Sequence, residues 1–176
     1  MSLTAILDRA FAPLHAAVES KRIPGGVLGV IDRDGNRVVR SIGSAQLVPA
    51  TRPMHDDTWF DLASLTKVIF TTPRILALAA AGTIELDAPL TSVIPDFRQY
   101  NPDGSWERKL TFRQCLGHQT PFPGVVPIYT YGSDPNLLRA WVLQNEWQAG
   151  PPVYSDINFI LLGIALERLS GKLIRQ

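Results

Sequence analysis

Hydrophobic positions along the chain follow two periodicities, and each predicts a different kind of element. Apolar residues at helical spacing between positions 3 and 18 predict an amphipathic first helix. Segments 27–31 and 37–42 are rich in β-branched residues and flank residues 32–36, whose Asp-Gly pair is typical of a tight turn. The first part of the chain is therefore predicted to form a helix followed by a β-hairpin.

The longest helical pattern covers residues 63–81, which are strongly apolar and stop at Gly82, a residue suited to a helix C-terminus. Pro73 lies inside this pattern. Proline lacks the amide hydrogen that a helix interior requires, so we expect Pro73 to kink or divide the helix.

Three further helices are predicted in the second half of the chain. A capping box at Thr111–Gln114 opens a short helix. Asp134–Pro135, an N-cap followed by a proline at the first helical position, leads into a helix over 137–147. Apolar positions within 157–164 predict a buried helix.

Two predicted strands do not form a stable sheet alone, because a hairpin needs a third strand or a packed helix. We therefore expect an α/β part, residues 1–60, joined to a mostly helical part, residues 61–176. The other strands of the sheet are expected beyond Gln176, so the fold should be truncated, with most of its antiparallel sheet missing.

Composition excludes several classes of function. The 176 residues are 45% apolar and carry a formal net charge of +1, which is too balanced for a nucleic-acid-binding protein. No apolar run is long enough for a membrane span and no signal peptide is visible, so a cytoplasmic location is expected. A single cysteine, Cys115, excludes an internal disulfide and is expected to be a buried apolar residue. Exposed strand edges would favour homo-oligomers.

The histidines and acidic residues do not form a recognisable metal site. His15, His55 and His118 are scattered, without supporting cysteines or paired carboxylates. The acidic turn that starts at Asp32 does not have calcium-loop spacing, because an EF-hand needs glycine at its sixth position and Gly35 is only the fourth. No metal and no other cofactor is therefore expected.

The segment 60–69 contains a serine three residues before a lysine, Ser64 and Lys67. Side chains at this spacing lie on one side of an α-helix. With Asp61 as N-cap, Ser64 would lie in the first turn, where free amide groups and the helix dipole stabilise an oxyanion. Ser64 is thus a candidate nucleophile and Lys67 a candidate proton acceptor, although an ordinary capped helix with a solvated lysine has the same pattern.

A second candidate segment, residues 152–159, precedes the predicted buried helix. Tyr154 is either a phenol that moves a proton between a serine and a leaving group or an amphipathic core residue. Ser155 and Asp156 are both suitable N-caps for the helix that follows. The residues alone leave these alternatives open.

Three segments together resemble a known superfamily. Residues 60–67, 110–120 and 154–163 are similar, in this order, to landmarks of the β-lactamase-related serine hydrolases. That superfamily includes class C β-lactamases, penicillin-binding D-Ala-D-Ala peptidases and esterases of the same fold. The resemblance covers nearly the whole chain and implies the N-terminal half of a β-lactamase/transpeptidase-like fold, with a Lys/His-Thr-Gly-type strand expected downstream.

By position, the resemblance makes Ser64 the acylated nucleophile, Lys67 its proton acceptor or electrostatic activator, and Tyr154 the general base and acid. Asp156 stands where the family commonly has asparagine. Its carboxylate would favour protonated Lys67 and shift the base role toward Tyr154, unless it serves only as a helix cap. Asn158, one helical step further, is not expected to take the place of the family's asparagine.

The implied function is hydrolysis of a small ester or amide through an acyl-enzyme on Ser64. An esterase is preferred over a β-lactamase or D-Ala-D-Ala-type peptidase, and a non-catalytic binding or scaffold relative is the alternative of another class. The 176 residues alone are expected to be inactive, because the downstream strand would supply one oxyanion donor. Trp106, Tyr129 and Tyr131 either line an acyl pocket or anchor a long loop.

Overall fold

The computed structural model describes residues 2–174, and the chain divides into two compact units, up to residue 61 and from residue 62 onward. The first unit contains one helix and a three-stranded antiparallel sheet in the order β1-β2-β3. These elements are α1, Leu3–Glu19; β1, Gly25–Ile31; β2, Arg37–Gln46; and β3, Arg52–Pro53. The predicted helix and hairpin are confirmed, whereas the short strand β3 was not predicted.

The hairpin turn is held by the side chain of Asp32. Its Oδ1 accepts hydrogen bonds from the backbone amides of Asp34 and Asn36, each at 2.9 Å, and its Oδ2 accepts one from the Asn36 side chain at 2.9 Å. The Asn36 side chain is the main cause of the lowered pKa of Asp32. Gly35 has φ +84°, a left-handed conformation that glycine adopts without strain.

Helix α1 packs against β1 and β2 through the apolar face that its sequence predicts. Leu7 and Phe11 are buried on this face. Arg40 of β2 reaches back to the helix, where its Nη2 lies 2.7 Å from Asp8 Oδ1 and its guanidinium lies 5.2 Å from the centre of the Phe11 ring. The helix thus supplies the packing partner that an isolated hairpin needs.

The second unit is helical. Its longer segments are a π-helical segment, Lys67–Thr71; α2, Thr72–Ala80; α3, Phe112–Leu116; α4, Pro135–Gln144; and α5, Asp156–Ser170. Short 3-10 turns cover Leu90–Ser92, Trp106–Lys109 and Ile128–Thr130. The hydrogen-bond pattern changes from π to α at Thr72, directly before Pro73, while residues 65–80 stay helical. The predicted effect of the proline is therefore seen as a change of helix type and not as a break.

The predicted helix starts rest on side-chain caps. Thr111 Oγ1 accepts from the Gln114 amide at 3.2 Å while Gln114 Oε1 accepts from the Thr111 amide at 3.0 Å, which completes the capping box of α3. Asp134 Oδ1 accepts from the Asn136 amide at 2.8 Å at the start of α4. Helix α5 ends at Gly171, whose φ of +68° is the left-handed conformation common at helix C-termini.

The predicted end of α4 was wrong. The helix stops at Gln144, and Asn145 is already extended, with φ −60° and ψ 138°. Trp147 was predicted to be helical, but it turns into the core of the second unit, where its amide donates to Glu107 Oε1 at 3.1 Å. A buried carboxylate 40 residues away in sequence therefore binds the segment that follows this helix.

Helix α5 is the centre of the hydrophobic core of the second unit. Eight of its residues are buried, and it contacts α2, α3 and the π-helical segment. Leu161 and Phe112 are fully buried in this core, together with Cys115. Burial raises the pKa of the Cys115 thiol to about 12, so it behaves as the apolar residue that the sequence predicts.

Leu161→Ala should lower the free energy of unfolding by about 2–5 kcal/mol, because it leaves a cavity in the centre of the core. Leu137→Ala is the matched control, since the Leu137 side chain lies on α4 and is 69% exposed, and it should change stability by less than about 0.5 kcal/mol. Urea unfolding of both variants measures the difference. Equal losses would contradict the central position of α5.

Candidate active site

Ser64 lies in the turn that leads into the first helical segment of the second unit. The Leu65 amide donates to the Leu62 carbonyl at 2.8 Å, and the Lys67 amide donates to the Ser64 carbonyl at 3.1 Å. Helical structure begins at Leu65, two residues before the π-helical segment. The helix therefore starts later than the predicted cap at Asp61, and Ser64 occupies the position directly before its first residue.

The backbone before Ser64 is strained. Ala63 has φ +42°, in the left-handed region that side chains other than glycine rarely adopt. Such a conformation costs about 1–3 kcal/mol and persists only where the surrounding structure holds it. Strain of this kind is common at functional sites, and Ala63 directly precedes Ser64.

Lys67 links Ser64 to the start of α5. Its Nζ donates to Ser64 Oγ at 3.2 Å and lies 2.7 Å from Asp156 Oδ1. The lysine side chain is only 14% exposed, whereas the carboxylate side chain is 60% exposed. The predicted spacing of serine and lysine therefore does place both side chains in contact, and Asp156 joins them from another helix.

Tyr154 completes the cluster from the segment before α5. Hydrogen bonding to Ser64, and then to Lys67, lowers the pKa of its phenol below the usual tyrosine value. The Lys67 Nζ also lies 5.2 Å from the centre of the Tyr154 ring and 5.7 Å from that of Phe159. A phenolate beside an ammonium group is the electrostatic arrangement that favours the deprotonated form of the tyrosine.

Lys67 is held in its charged form. Burial by itself would lower the pKa of Lys67, but hydrogen bonds to Asp156 and Tyr154 outweigh the burial and raise the pKa above the ordinary lysine value. A lysine with a raised pKa is a poor proton acceptor near neutral pH. It is a good source of positive charge for a neighbouring phenolate or oxyanion.

A family model described as Beta-lactamase matches residues 7–176. The chain belongs to the beta-lactamase family. It is 38% identical to esterase EstB of Burkholderia gladioli, over 97% of this chain and 46% of the esterase. It is 29% identical to an N-acetylmuramyl-L-alanine amidase of Bacillus subtilis, over 85% of this chain and 38% of the amidase.

Solved structures agree with this membership. A class C beta lactamase from Rhodobacter sphaeroides superposes with a TM-score of 0.73 at 28% identity, over 93% of this chain and 44% of that chain. The superfamily and fold that the sequence resembles are confirmed. The chain spans somewhat less than half the length of these beta-lactamase-family relatives.

Within this family member, Asp156 is the first residue of α5 and its carboxylate contacts Lys67. Ser155 occupies the N-cap position, but its side chain makes no capping hydrogen bond. A role for Asp156 as a helix cap alone does not account for its contact with Lys67. The contact matches the other alternative, in which the carboxylate holds the lysine charged.

The aromatic residues considered for an acyl pocket lie elsewhere. Trp106 packs on Phe122 with ring centres 5.2 Å apart, and Tyr131 stacks on Trp141 at 4.5 Å. Tyr129 is exposed. Other apolar residues line the recess beside Ser64, among them Phe70, Phe159 and Ile160.

Sequence reasoning assigned no role to His118, which the structure places against the ring of Tyr154 at 4.3 Å between ring centres. Its place within the second family-like segment, 110–120, was the available signal.

His15 lies 3.3 Å from Glu19 on α1. Across residues 2–174 no histidine, cysteine and carboxylate groups are arranged to hold a metal ion. No helix in that range is both long and apolar enough to cross a membrane.

Asp156→Asn should lower the pKa of Lys67, because the change removes the strongest group that raises it. The raised pKa stabilises the native state below the ordinary lysine pKa, and this stabilisation is lost as pH rises through the folded pKa. NMR titration of the lysine side chains measures the shift. Asp87→Asn, which removes an exposed partner of Arg113, is the control and should leave Lys67 unchanged. An unchanged Lys67 in Asp156→Asn would contradict the pairing.

Proposed function

We propose that the protein is a serine hydrolase that cleaves an ester or amide through an acyl-enzyme on Ser64. The observation that carries the proposal is the contact of Lys67 Nζ with both Ser64 Oγ and Asp156 Oδ1, beside the phenol of Tyr154. The proposal concerns a polypeptide as long as the family relatives, of which this chain spans less than half. The hydrolases among the relatives support this reaction class.

In the acylation step, Ser64 Oγ attacks the substrate carbonyl carbon while its proton passes to the Tyr154 phenolate. The resulting oxyanion is stabilised by the Ser64 backbone amide, by the second amide expected from the downstream strand, and by the nearby charge of Lys67. The bond to the leaving group then breaks, and Tyr154 returns the proton to the leaving oxygen or nitrogen. An ester of Ser64 remains.

Deacylation repeats the same proton transfers with water in place of Ser64. Tyr154 accepts a proton from the water as it attacks the acyl carbon, and then returns the proton to Ser64 Oγ as the ester bond breaks. The products are a carboxylic acid and the regenerated serine. No proton is gained or lost by the site over the full cycle.

The tyrosine, rather than the lysine, is the base in this mechanism. The pKa of Lys67 is raised by Asp156 and Tyr154, whereas that of Tyr154 is lowered by Ser64 and Lys67. Near neutral pH the raised pKa keeps Lys67 protonated, whereas the lowered pKa lets Tyr154 lose its proton more easily. In this mechanism Asp156 acts through its contact with Lys67.

The preferred substrate is an ester with an apolar acyl group. The 38% identity to the esterase EstB supports esterase activity. The apolar wall of the recess at Ser64 supports an apolar acyl group. A β-lactamase or peptidase is the second candidate, favoured by the likeness to the class C beta lactamase. Inactivity of the 176 residues alone, a cytoplasmic location and association through strand edges stay predictions.

A fluorophosphonate probe should label Ser64, because this serine is placed beside a lysine and a tyrosine with shifted pKa values. Peptide mass spectrometry of the full-length polypeptide locates the adduct. Ser64→Ala should abolish labelling, whereas Ser92→Ala is the matched control and should retain it, since the Ser92 hydroxyl donates to the Pro89 carbonyl. An adduct on another serine would refute the proposal.

Tyr154→Phe should lower kcat by about 10²–10⁴-fold, the usual contribution of a general acid-base group. Hydrolysis of p-nitrophenyl acetate and of nitrocefin measures kcat for an ester and for a β-lactam. Tyr129→Phe removes an exposed phenol from the same unit and should leave both rates unchanged. Faster hydrolysis of the β-lactam than of the ester would decide for the second candidate.

A further inference from the structure

Helix α3 ends in a motif that normally requires glycine. The Gln119 amide donates to the Gln114 carbonyl at 2.8 Å and the His118 amide donates to the Cys115 carbonyl at 3.3 Å, which is the Schellman pattern. The left-handed position of this motif is occupied by His118, with φ +52°, while Gly117 stands one residue earlier. A strained histidine at a position suited to glycine indicates that its side chain is needed there.

The imidazole of His118 packs against the candidate general base. Its ring centre lies 4.3 Å from that of Tyr154, with 32° between the planes, and 5.2 Å from that of Phe159. Tyr154 itself is 51% exposed, so its ring is only partly held by packing. Contact with His118 therefore limits the directions in which the phenol can point.

The same imidazole also fixes the backbone that follows Tyr154. The Ser155 amide donates to His118 Nδ1 at 3.1 Å, so this nitrogen carries no proton and the hydrogen of the neutral ring is on Nε2. The side-chain amide of Asn158 lies 3.3 Å from the same Nδ1 and is its second donor. Thr120 Oγ1 donates to Asn158 Oδ1 at 2.7 Å, which orients that amide.

The polar residues behind the imidazole are not accessible to solvent. Thr120 and Asn158 are fully buried, and burying such polar side chains costs free energy unless they are hydrogen-bonded. The charged and titratable groups that face His118 are Lys67, Asp156 and Tyr154. Burial and the charge of Lys67 lower the pKa of His118, although Asp156 opposes them, so the ring stays neutral near pH 7.

We infer that His118 is a positioning residue, which holds the phenol of Tyr154 in line with Ser64 by stacking on its ring and by binding the amide of Ser155. Asn158 and Thr120 fix the tautomer that makes this possible. The inference rests on the proposed function, because it assigns Tyr154 the role of base. Misplacement of a reacting group by about 1 Å can cost about 10²-fold in rate, which is why such a support matters.

Two variants of His118 separate its two contacts. His118→Asn tolerates the left-handed backbone and keeps an acceptor for Ser155, but it removes the ring. We expect kcat to fall about tenfold or more with little change in KM, and the pKa of Tyr154 to rise toward its usual value. His118→Phe keeps the ring and loses the acceptor, so its Tyr154 pKa should lie between those of the wild type and His118→Asn.

The pKa is measured by NMR titration of the protein labelled with ¹³C at tyrosine Cζ, with the Tyr154 signal identified by its loss in Tyr154→Phe. Cys115→Ala is the control for general destabilisation, because it opens a cavity in α3 without touching Tyr154. It should lower Tm and leave the Tyr154 pKa unchanged.

An unchanged Tyr154 pKa and kcat in His118→Asn would overturn the inference. So would an equal pKa rise in Cys115→Ala, or a Tyr154 pKa in His118→Phe no lower than in His118→Asn. If Ser64 of the wild-type protein is not labelled by a fluorophosphonate, the proposed function fails instead. The titration of Tyr154 needs no turnover, so it tests the positioning role separately.

Discussion

The contact between Lys67 and Asp156 is the interaction on which the site depends. It joins the segment that carries Ser64 to the first residue of α5, and it keeps the lysine protonated. Because the carboxylate is well exposed, solvent screens the pair and its contribution to folding stability is modest. Its main effect is on charge: a protonated Lys67 lowers the pKa of Tyr154, the residue that the proposed mechanism uses as base.

The contact between Lys67 and Asp156 depends on the position of α5, which core packing holds. The helix is buried over most of its length and packs on α2, α3 and the π-helical segment, so its first residues have a fixed position. Tyr154 precedes this helix directly and Asp156 begins it. Helix α3 packs on α5 and carries His118 at its end. Core packing therefore sets the distances among polar groups that are themselves partly exposed.

Among residues 2–174, two of the four non-glycine residues with a left-handed backbone lie in this region. Ala63 and His118 both have left-handed backbone conformations without being glycine, and they lie directly before Ser64 and against Tyr154. In each case the fold holds a conformation that a free peptide would avoid.

The sequence by itself determined the local features: the helix starts at Thr111 and Asp134, the hairpin, and the spacing that brings Lys67 to Ser64. These depend on residues a few positions apart, whose interactions the chain order fixes. Only the tertiary structure decided that Asp156 binds Lys67 and that His118 supports Tyr154, since His118 and Ser155 are 37 residues apart. Contacts at that separation follow from how buried helices pack, which no local pattern specifies.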